Sequence, residues 1–416
     1  MAFGQFIGSC RAPDPAGAQG GGPSAGGGSF ELVPSICVSE RYDSNVFFRS
    51  ATPGLERDDF VTSVNPMLRL NHNGDYAAGF LNVGGFSETY VKNSGLNFFG
   101  SNGTLSLNLD NTVKRVLPSA SLLITDSVSY TPVPPGFVNL VAGTSPGAPT
   151  NIQDVFAQGI LFRRTDRVTN RGTVSTAYAT SATTSLNASY SHAIQRFLSS
   201  PSASPGDTQG SLFDTTTQTG TVGGSARLSG VDTLNVNYSH TQSEFTNGST
   251  SSFLFKIDRA TIGWSRVLTP NLSAEVAGGG ILLDPGRTTY AANAALIMNF
   301  LNNSATLSYS RSTFPSFVGV PTQVIGDVVS LSAVQKLGQQ WQLAEAVNYS
   351  HSSGESGVNT ITFDSYAGSV DLSYWISRIW SAALGYSYIN FRREFGTTMT
   401  EFDRHAVIFS VRADWR

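Results

Sequence analysis

Charge is scarce in this chain. Only 13% of its 416 residues are Asp, Glu, Lys or Arg, about half the share of ordinary soluble domains. The formal net charge is -3, with no basic run, which excludes the electrostatic footprint of a nucleic-acid binder. Long apolar stretches are also missing. A membrane helix needs about 20 mostly apolar residues in a row. The densest candidate, Ala291 to Leu301, is interrupted by Asn293 and Asn299. Cysteine is nearly absent: Cys10 and Cys37 are the two in the chain, with no CxxC, CxxCH or Cys/His pairing. That argues against a zinc or iron–sulfur site and against covalent haem, so no cofactor is expected. A Cys10–Cys37 disulfide is the one cross-link the chain can make. Serine and histidine both occur, but no Gly-x-Ser-x-Gly sits at a strand-to-helix turn, and a catalytic function is not expected.

What the chain has instead is Gly (42 residues) and uncharged polar residues. An exported protein needs a charged start and an apolar core of roughly 7–15 residues, and Met1 to Cys10 offers only Phe3, Phe6 and Ile7. Ile7-Gly8-Ser9-Cys10 loosely resembles a lipoprotein cleavage box. A lost or mis-assigned start is the simpler expectation, with residues 1–30 a flexible Gly/Ala/Pro-rich segment and 31–416 one folded unit.

From Val33 onward the hydrophobic period is two. Leu186, Ala188 and Tyr190 share one face while Ser185, Asn187, Ser189 and Ser191 share the other. Leu234, Val236 and Tyr238 alternate with Asn235, Asn237 and Ser239, and Tyr290 to Phe300 repeats the pattern. The alternation predicts strands near 33–48, 58–72, 76–92, 100–113, 118–131, 167–180, 183–197, 212–229, 231–247, 252–268, 271–284, 287–302, 303–316, 323–338, 339–354, 360–376, 379–395 and 401–416. Tight connections such as Asn71-His72-Asn73-Gly74, Thr269-Pro270-Asn271 and Ser377-Arg378 alternate with longer Pro/Gly/Ser-rich ones, of which 132–166 is the longest. Short turns at one end and long loops at the other predict an antiparallel transmembrane β-barrel of about eighteen strands, with both chain ends in the periplasm.

Aromatic placement separates a barrel from a soluble sandwich. Tyr190, Tyr238, Tyr309, Tyr349 and Tyr386 each lie just below a long-side loop, whereas Trp264, Trp341, Trp380 and Trp415 gather at the opposite end. Two belts are what membrane interfaces select, so these nine side chains are expected to anchor the barrel in the outer membrane of a Gram-negative bacterium. The final strand, Val407 to Arg416, resembles the C-terminal assembly signal of outer-membrane proteins, although Trp415 is followed by Arg416 where that family usually ends in Phe. The resemblance implies the barrel assembly machinery, outer-membrane lipid and lipopolysaccharide as partners.

Arg41-Tyr42-Asp43-Ser44-Asn45-Val46-Phe47, with Asp58-Asp59-Phe60 and Asn65-Pro66, resembles the first hairpin of β-barrel porins found with bacterial exopolysaccharide export systems. The resemblance is concentrated in residues 40–70 and implies a fold and a location, with no functional residue carried over. From the residues themselves the segment is expected to be a packing or turn motif, since Asp and Asn commonly bond their own turn backbone.

The histidines are His72, His192, His240, His351 and His405. Tyr-Ser-His recurs at 190–192, 238–240 and 349–351, with Tyr309-Ser310-Arg311 a variant. Ligands on separate lipid-facing strands cannot converge on an ion; the expectation is that His or Arg reaches lipid phosphates beside an anchoring Tyr. Arg227, Glu275, Asp371, Arg412 and Asp414 are expected to line the lumen, with both signs and so no strong selectivity. Asp126 and Glu345 fall on the lipid phase, where a charge is costly, so either those strands carry a bulge that turns the residue inward or the register there is wrong. Arg163 and Arg164 are candidates for a constriction by the 132–166 loop; a plain surface loop is the alternative. The expected function is a passive porin or exopolysaccharide-export conduit. The alternative is a sleeve that holds a partner such as a multihaem cytochrome, for which Gly223, Gly279 and Gly385 would allow close approach.

Overall fold

The structure is a computed structural model that describes residues 29–47, 57–131, 166–198, 214–247, 251–284, 286–316, 322–356, 359–396 and 398–415. Eighteen strands form one sheet: β1 Ser29–Asp43, β2 Asp59–Asn73, β3 Ala78–Tyr90, β4 Phe98–Asn108, β5 Ala120–Thr131, β6 Arg167–Ala179, β7 Thr184–Phe197, β8 Asp214–Arg227 and β9 Asp232–Asn247, followed by β10 Ser251–Thr269, β11 Leu272–Leu283, β12 Arg287–Asn299, β13 Asn303–Ser316, β14 Thr322–Leu337, β15 Trp341–Ser356, β16 Asn359–Trp375, β17 Trp380–Phe395 and β18 Thr398–Asp414. Every strand pairs antiparallel with its sequence neighbours, and β1 pairs with both β2 and β18. The sheet is therefore a closed barrel with no free edge, which removes the unpaired backbone that lipid cannot satisfy.

Register fixes which side chains face in. On β1, Val33, Ser35, Cys37, Ser39, Arg41 and Asp43 share the inward face, and Phe30, Leu32 and Val38 the outward one. Leu186, Val222, Val236, Ile262, Val347, Leu384 and Phe409 stand outward and exposed. An apolar outer surface of that extent is stable only in hydrocarbon. Among the described residues no helix is long and apolar enough to cross a membrane, so the strands do the crossing.

Two predicted strands stop five residues early, β1 at Asp43 and β4 at Asn108. β4 stops at Asn108, and Asp110–Val113 forms a helical turn, α1, in place of the extension to residue 113. Asn108 Oδ1 accepts from the Asp110 amide at 2.8 Å, and Asp110 Oδ1 accepts from the Leu122 amide at 2.9 Å. These side chains compete with the ladder for backbone donors and close the longest connection at the short-turn end.

Asp126 and Glu345 face outward. The ladders on both sides of β5 and β15 run without a register shift, so no bulge turns either residue in. Asn170 Nδ2 bonds both Asp126 oxygens at 3.2 Å, and Gly172 opposite leaves the space that the carboxylate occupies. Glu345 lies in register with Ala333 and Val370, midway along β15 between Trp341 and Tyr349.

Candidate functional site

The barrel interior has two regions. In the half nearer the short turns, inward side chains are mostly partly exposed and uncharged. Hydroxyls pair across strands there and above: Ser185–Ser225 at 2.7 Å, Thr219–Thr241 at 3.1 Å, Thr217–Ser243 at 3.1 Å, Ser308–Ser330 at 2.6 Å and Ser129–Thr169 at 2.7 Å. Each pair satisfies part of the hydroxyls' bonding within the wall and locks adjacent strands. In the third nearer the long loops, inward residues are buried. Ile361, Phe363, Ile389, Phe391 and Phe402 form one apolar patch, with Phe391 and Phe402 rings 5.5 Å apart. Phe245 packs with Phe197 and Phe255 as another, and Ile257, Ile281, Leu283 and Ala291 as a third.

All five predicted lumen charges face inward. Arg227 and Glu275 are exposed to the interior. Asp371 sits against Gly385, its Oδ1 in the space a Cβ there would need. Arg412 and Asp414 clasp one another, Nε at 2.9 Å from both oxygens and an NH2 bond at 2.8 Å, so neither presents a free charge. Gly223 is filled in the same way by Asn237, and Gly279 meets the Ala260 carbonyl. At each of the three inward glycines a neighbouring wall atom occupies the space that a Cβ would need. Arg163 and Arg164 lie outside the described residues.

Charges that sequence spacing could not connect meet at the seam. Arg41 reaches Glu88 on β3 with two bonds, 3.2 and 3.1 Å, and its Nε lies 3.4 Å from Asp43. Arg404 on β18 donates to both oxygens of Asp43, Nε at 2.9 Å. Tyr90 donates to Glu88 at 2.7 Å, and Ser63 completes its shell at 3.4 Å. Ser44 and Asn45 bond the backbone of His405 and Asp403. Asp59 accepts from the Lys92 and Asn93 amides at 2.9 and 2.8 Å. The Arg41–Asn45 motif is therefore a packing device. Its inward charges are buried and tie β18, β1, β2 and β3 together where the barrel closes.

The outward belts are where sequence placed them. Tyr190, Tyr238, Tyr309, Tyr349 and Tyr386 and Trp264, Trp341, Trp380 and Trp415 all sit on the lipid phase at their two levels. The residues beside three of the tyrosines bond to carboxylates of the protein. His240 and Tyr238 share Asp258, at 2.8 and 2.5 Å. Arg311 and Tyr309 share Asp327, both at 2.6 Å. His351 bonds Asp364 at 2.8 Å, with Tyr349 at 3.5 Å. In each of these three cases the partner is a carboxylate in register on the next strand. His192 lies opposite Gln218 instead. Cys37 is inward-facing and disulfide-bonded.

No protein-family profile and no curated protein sequence matches the chain. Solved structures similar to it include Pseudomonas aeruginosa OccK3 (OpdO), at 12% identity over 93% of this chain and 96% of that one, TM-score 0.45. A loop-deletion mutant of OmpT, an outer membrane protein of Vibrio cholerae, matches at 12% identity over 93% and 99%, TM-score 0.37. The ferric enterobactin receptor PfeA of Pseudomonas aeruginosa, as a G324V mutant, matches at 8% identity over 92% and 80%, TM-score 0.46. The closed antiparallel barrel, its apolar outer band and its two aromatic girdles together place this chain in the outer membrane of a Gram-negative bacterium, as a transmembrane β-barrel.

Proposed function

We propose that the barrel is a conduit for uncharged polar solutes, a passive porin or the outer-membrane step of exopolysaccharide export. The observation that carries this reading is the hydroxyl- and amide-lined inner half of the lumen, in which the exposed inward charges include both signs, Arg227 and Lys336 with Glu275. A barrel of this strand number leaves an aqueous lumen unless something fills it. Balanced charge gives little reason to favour either ion sign, and paired hydroxyls offer weak, exchangeable hydrogen bonds to a passing polyhydroxyl solute without holding it.

The test is planar-bilayer conductance and liposome swelling with neutral sugars, on the full chain and on a variant lacking residues 1–28. Ionic conductance with near-equal cation and anion permeability, together with sugar-driven swelling, supports the conduit. Folded, heat-modifiable barrels that pass neither ions nor sugar in both forms overturn it.

A further inference from the structure

The partly exposed inward wall reaches highest on β3 and β4. Glu88 faces in, and Phe80, Asn82, Gly84 and Phe86 share its phase on β3. Their register mates on β4 are Ser106, Thr104, Asn102 and Gly100, with Phe98 opposite Glu88. Phe86 and Phe98 are partly exposed, whereas Phe245, Phe363, Phe391 and Phe402, toward the outer ends of other strands, are buried.

Two glycines shape this strip. Phe86 lays the tip of its ring over Gly100, and Asn102 Oδ1 lies over Gly84, 2.9 Å from where a Cβ there would stand. Both glycines are buried. Phe86 and Phe98 meet edge to face, with centroids 5.7 Å apart and planes at 83°. At the lower end the Arg69 guanidinium lies 4.6 Å over the Phe80 ring, a planar donor group on an apolar one. From Phe80 to Phe86 the strip runs about 20 Å along one strand.

Between the rings stand two amides that the wall leaves unmatched. Asn82 Oδ1 is buried and accepts no hydrogen bond among the described residues. Its diagonal neighbour on β4 is Asn102, whose amide makes none among them either. A buried polar atom without a partner is costly, and an amide both donates and accepts. A ligand that answers these features offers a flat apolar face to the rings and donor–acceptor pairs at its rim. A pyranose has both, C–H bonds on its face and hydroxyls around its edge. We propose that the β3–β4 strip is a binding track for a neutral, linear pyranose oligosaccharide, which stacks at Phe86 and Phe98 and exchanges hydrogen bonds with Asn82 and Asn102. The track rests on the conduit reading and narrows its solute from any uncharged polar molecule to a glycan. Contacts spread along the strip are individually weak enough for a chain to enter and leave.

Equilibrium dialysis of cellohexaose and of maltohexaose against the folded full chain in detergent micelles reads binding without requiring flow. Sorbitol, which is polyhydroxyl but acyclic, is the control solute. Phe86→Leu keeps apolar bulk over Gly100 and removes the flat ring, and Asn82→Leu removes an amide. Phe402→Leu makes the first change in a buried inward ring away from the strip. The heat-modifiable gel shift establishes that each variant is folded. Saturable binding of a hexasaccharide but not of sorbitol supports the track when Phe86→Leu and Asn82→Leu each weaken it by about fivefold or more, the lower end for a ring stacked on an aromatic side chain, and Phe402→Leu leaves it unchanged. No saturable hexasaccharide binding, or equal binding by all four proteins, overturns it.

Conductance and sugar-driven swelling of the same samples separate the two readings. Saturable binding with neither conductance nor swelling keeps the track and removes the conduit. Conductance with no saturable binding does the reverse.

Discussion

Removing Arg404 should loosen the barrel where it closes. Its guanidinium donates two bonds to Asp43, and the two side chains are 5% and 1% exposed. Asp43 would keep Arg41 at 3.4 Å and the Asn45 amide at 3.1 Å, so it would not be wholly abandoned. Breaking a buried pair by deleting one partner costs about 3–5 kcal/mol, and these remaining contacts place Arg404→Ala near 3 kcal/mol. That corresponds to a roughly 150-fold shift in the folding equilibrium at 1.36 kcal/mol per decade. The assay is reversible urea unfolding of the barrel in lipid vesicles, followed by tryptophan fluorescence, with the heat-modifiable gel shift as a second probe. Asp43→Ala/Arg404→Ala together should cost less than the sum of the single changes by more than 1 kcal/mol, since neither charge is then stranded. Single-mutant costs below about 1 kcal/mol, or strict additivity, would refute the view that this pair holds the seam.

Gly279→Ala should lower folding yield and cost about 1–3 kcal/mol by overpacking, because its Cβ would fall on the Ala260 carbonyl, while Gly280→Ala, with open space outward, should be silent in the same refolding assay. Glu345→Leu should stabilise the barrel in vesicles by roughly 1–2 kcal/mol, as a lipid-facing carboxyl near mid-belt is removed; destabilisation in the unfolding curve would show that Glu345 meets a partner there. Asp327→Ala strands Arg311 at the outer belt, where the two side chains are 21% and 26% exposed, and should cost at most about 1 kcal/mol near the interface, a sharp contrast with the seam. In reversal-potential measurements on conducting barrels, Glu275→Gln should shift preference toward anions and Arg227→Gln toward cations, each modestly.

The strand count, the two faces and both aromatic belts were legible because each is a local property. Alternation along one strand reveals its lipid face whatever it pairs with, and an exposed Leu or Tyr needs no partner to be placed. Partners across strands were not legible. Asp258, Asp327 and Asp364 lie 18, 16 and 13 residues after His240, Arg311 and His351, a spacing that varies with hairpin length, so one recurring triad looks like three unrelated sequences. The signal was an acid on the lipid phase of the strand after three of the four Tyr-Ser-His or Tyr-Ser-Arg segments. Arg404 was harder still, 361 residues from Asp43. The α1 turn escaped because Asn108 and Asp110 capture backbone donors in a segment that still alternates.

That distance also explains why the densest buried ion network sits at the seam. Seventeen of the pairings join sequence neighbours, whose register their turns help to set, whereas β1 and β18 must find each other with the whole chain between them. Loop closure over such a length is costly, and the inward wall there is largely Ser, Ala and Ile, which would fit almost as well after a slip of two residues. Such a slip would keep every face correct, so hydrophobic burial alone cannot reject it. It would, however, move Arg404 by about 7 Å along the strand, away from Asp43, and strand both buried charges at once. The network rejects that slip, which places its function in closing the barrel at one register.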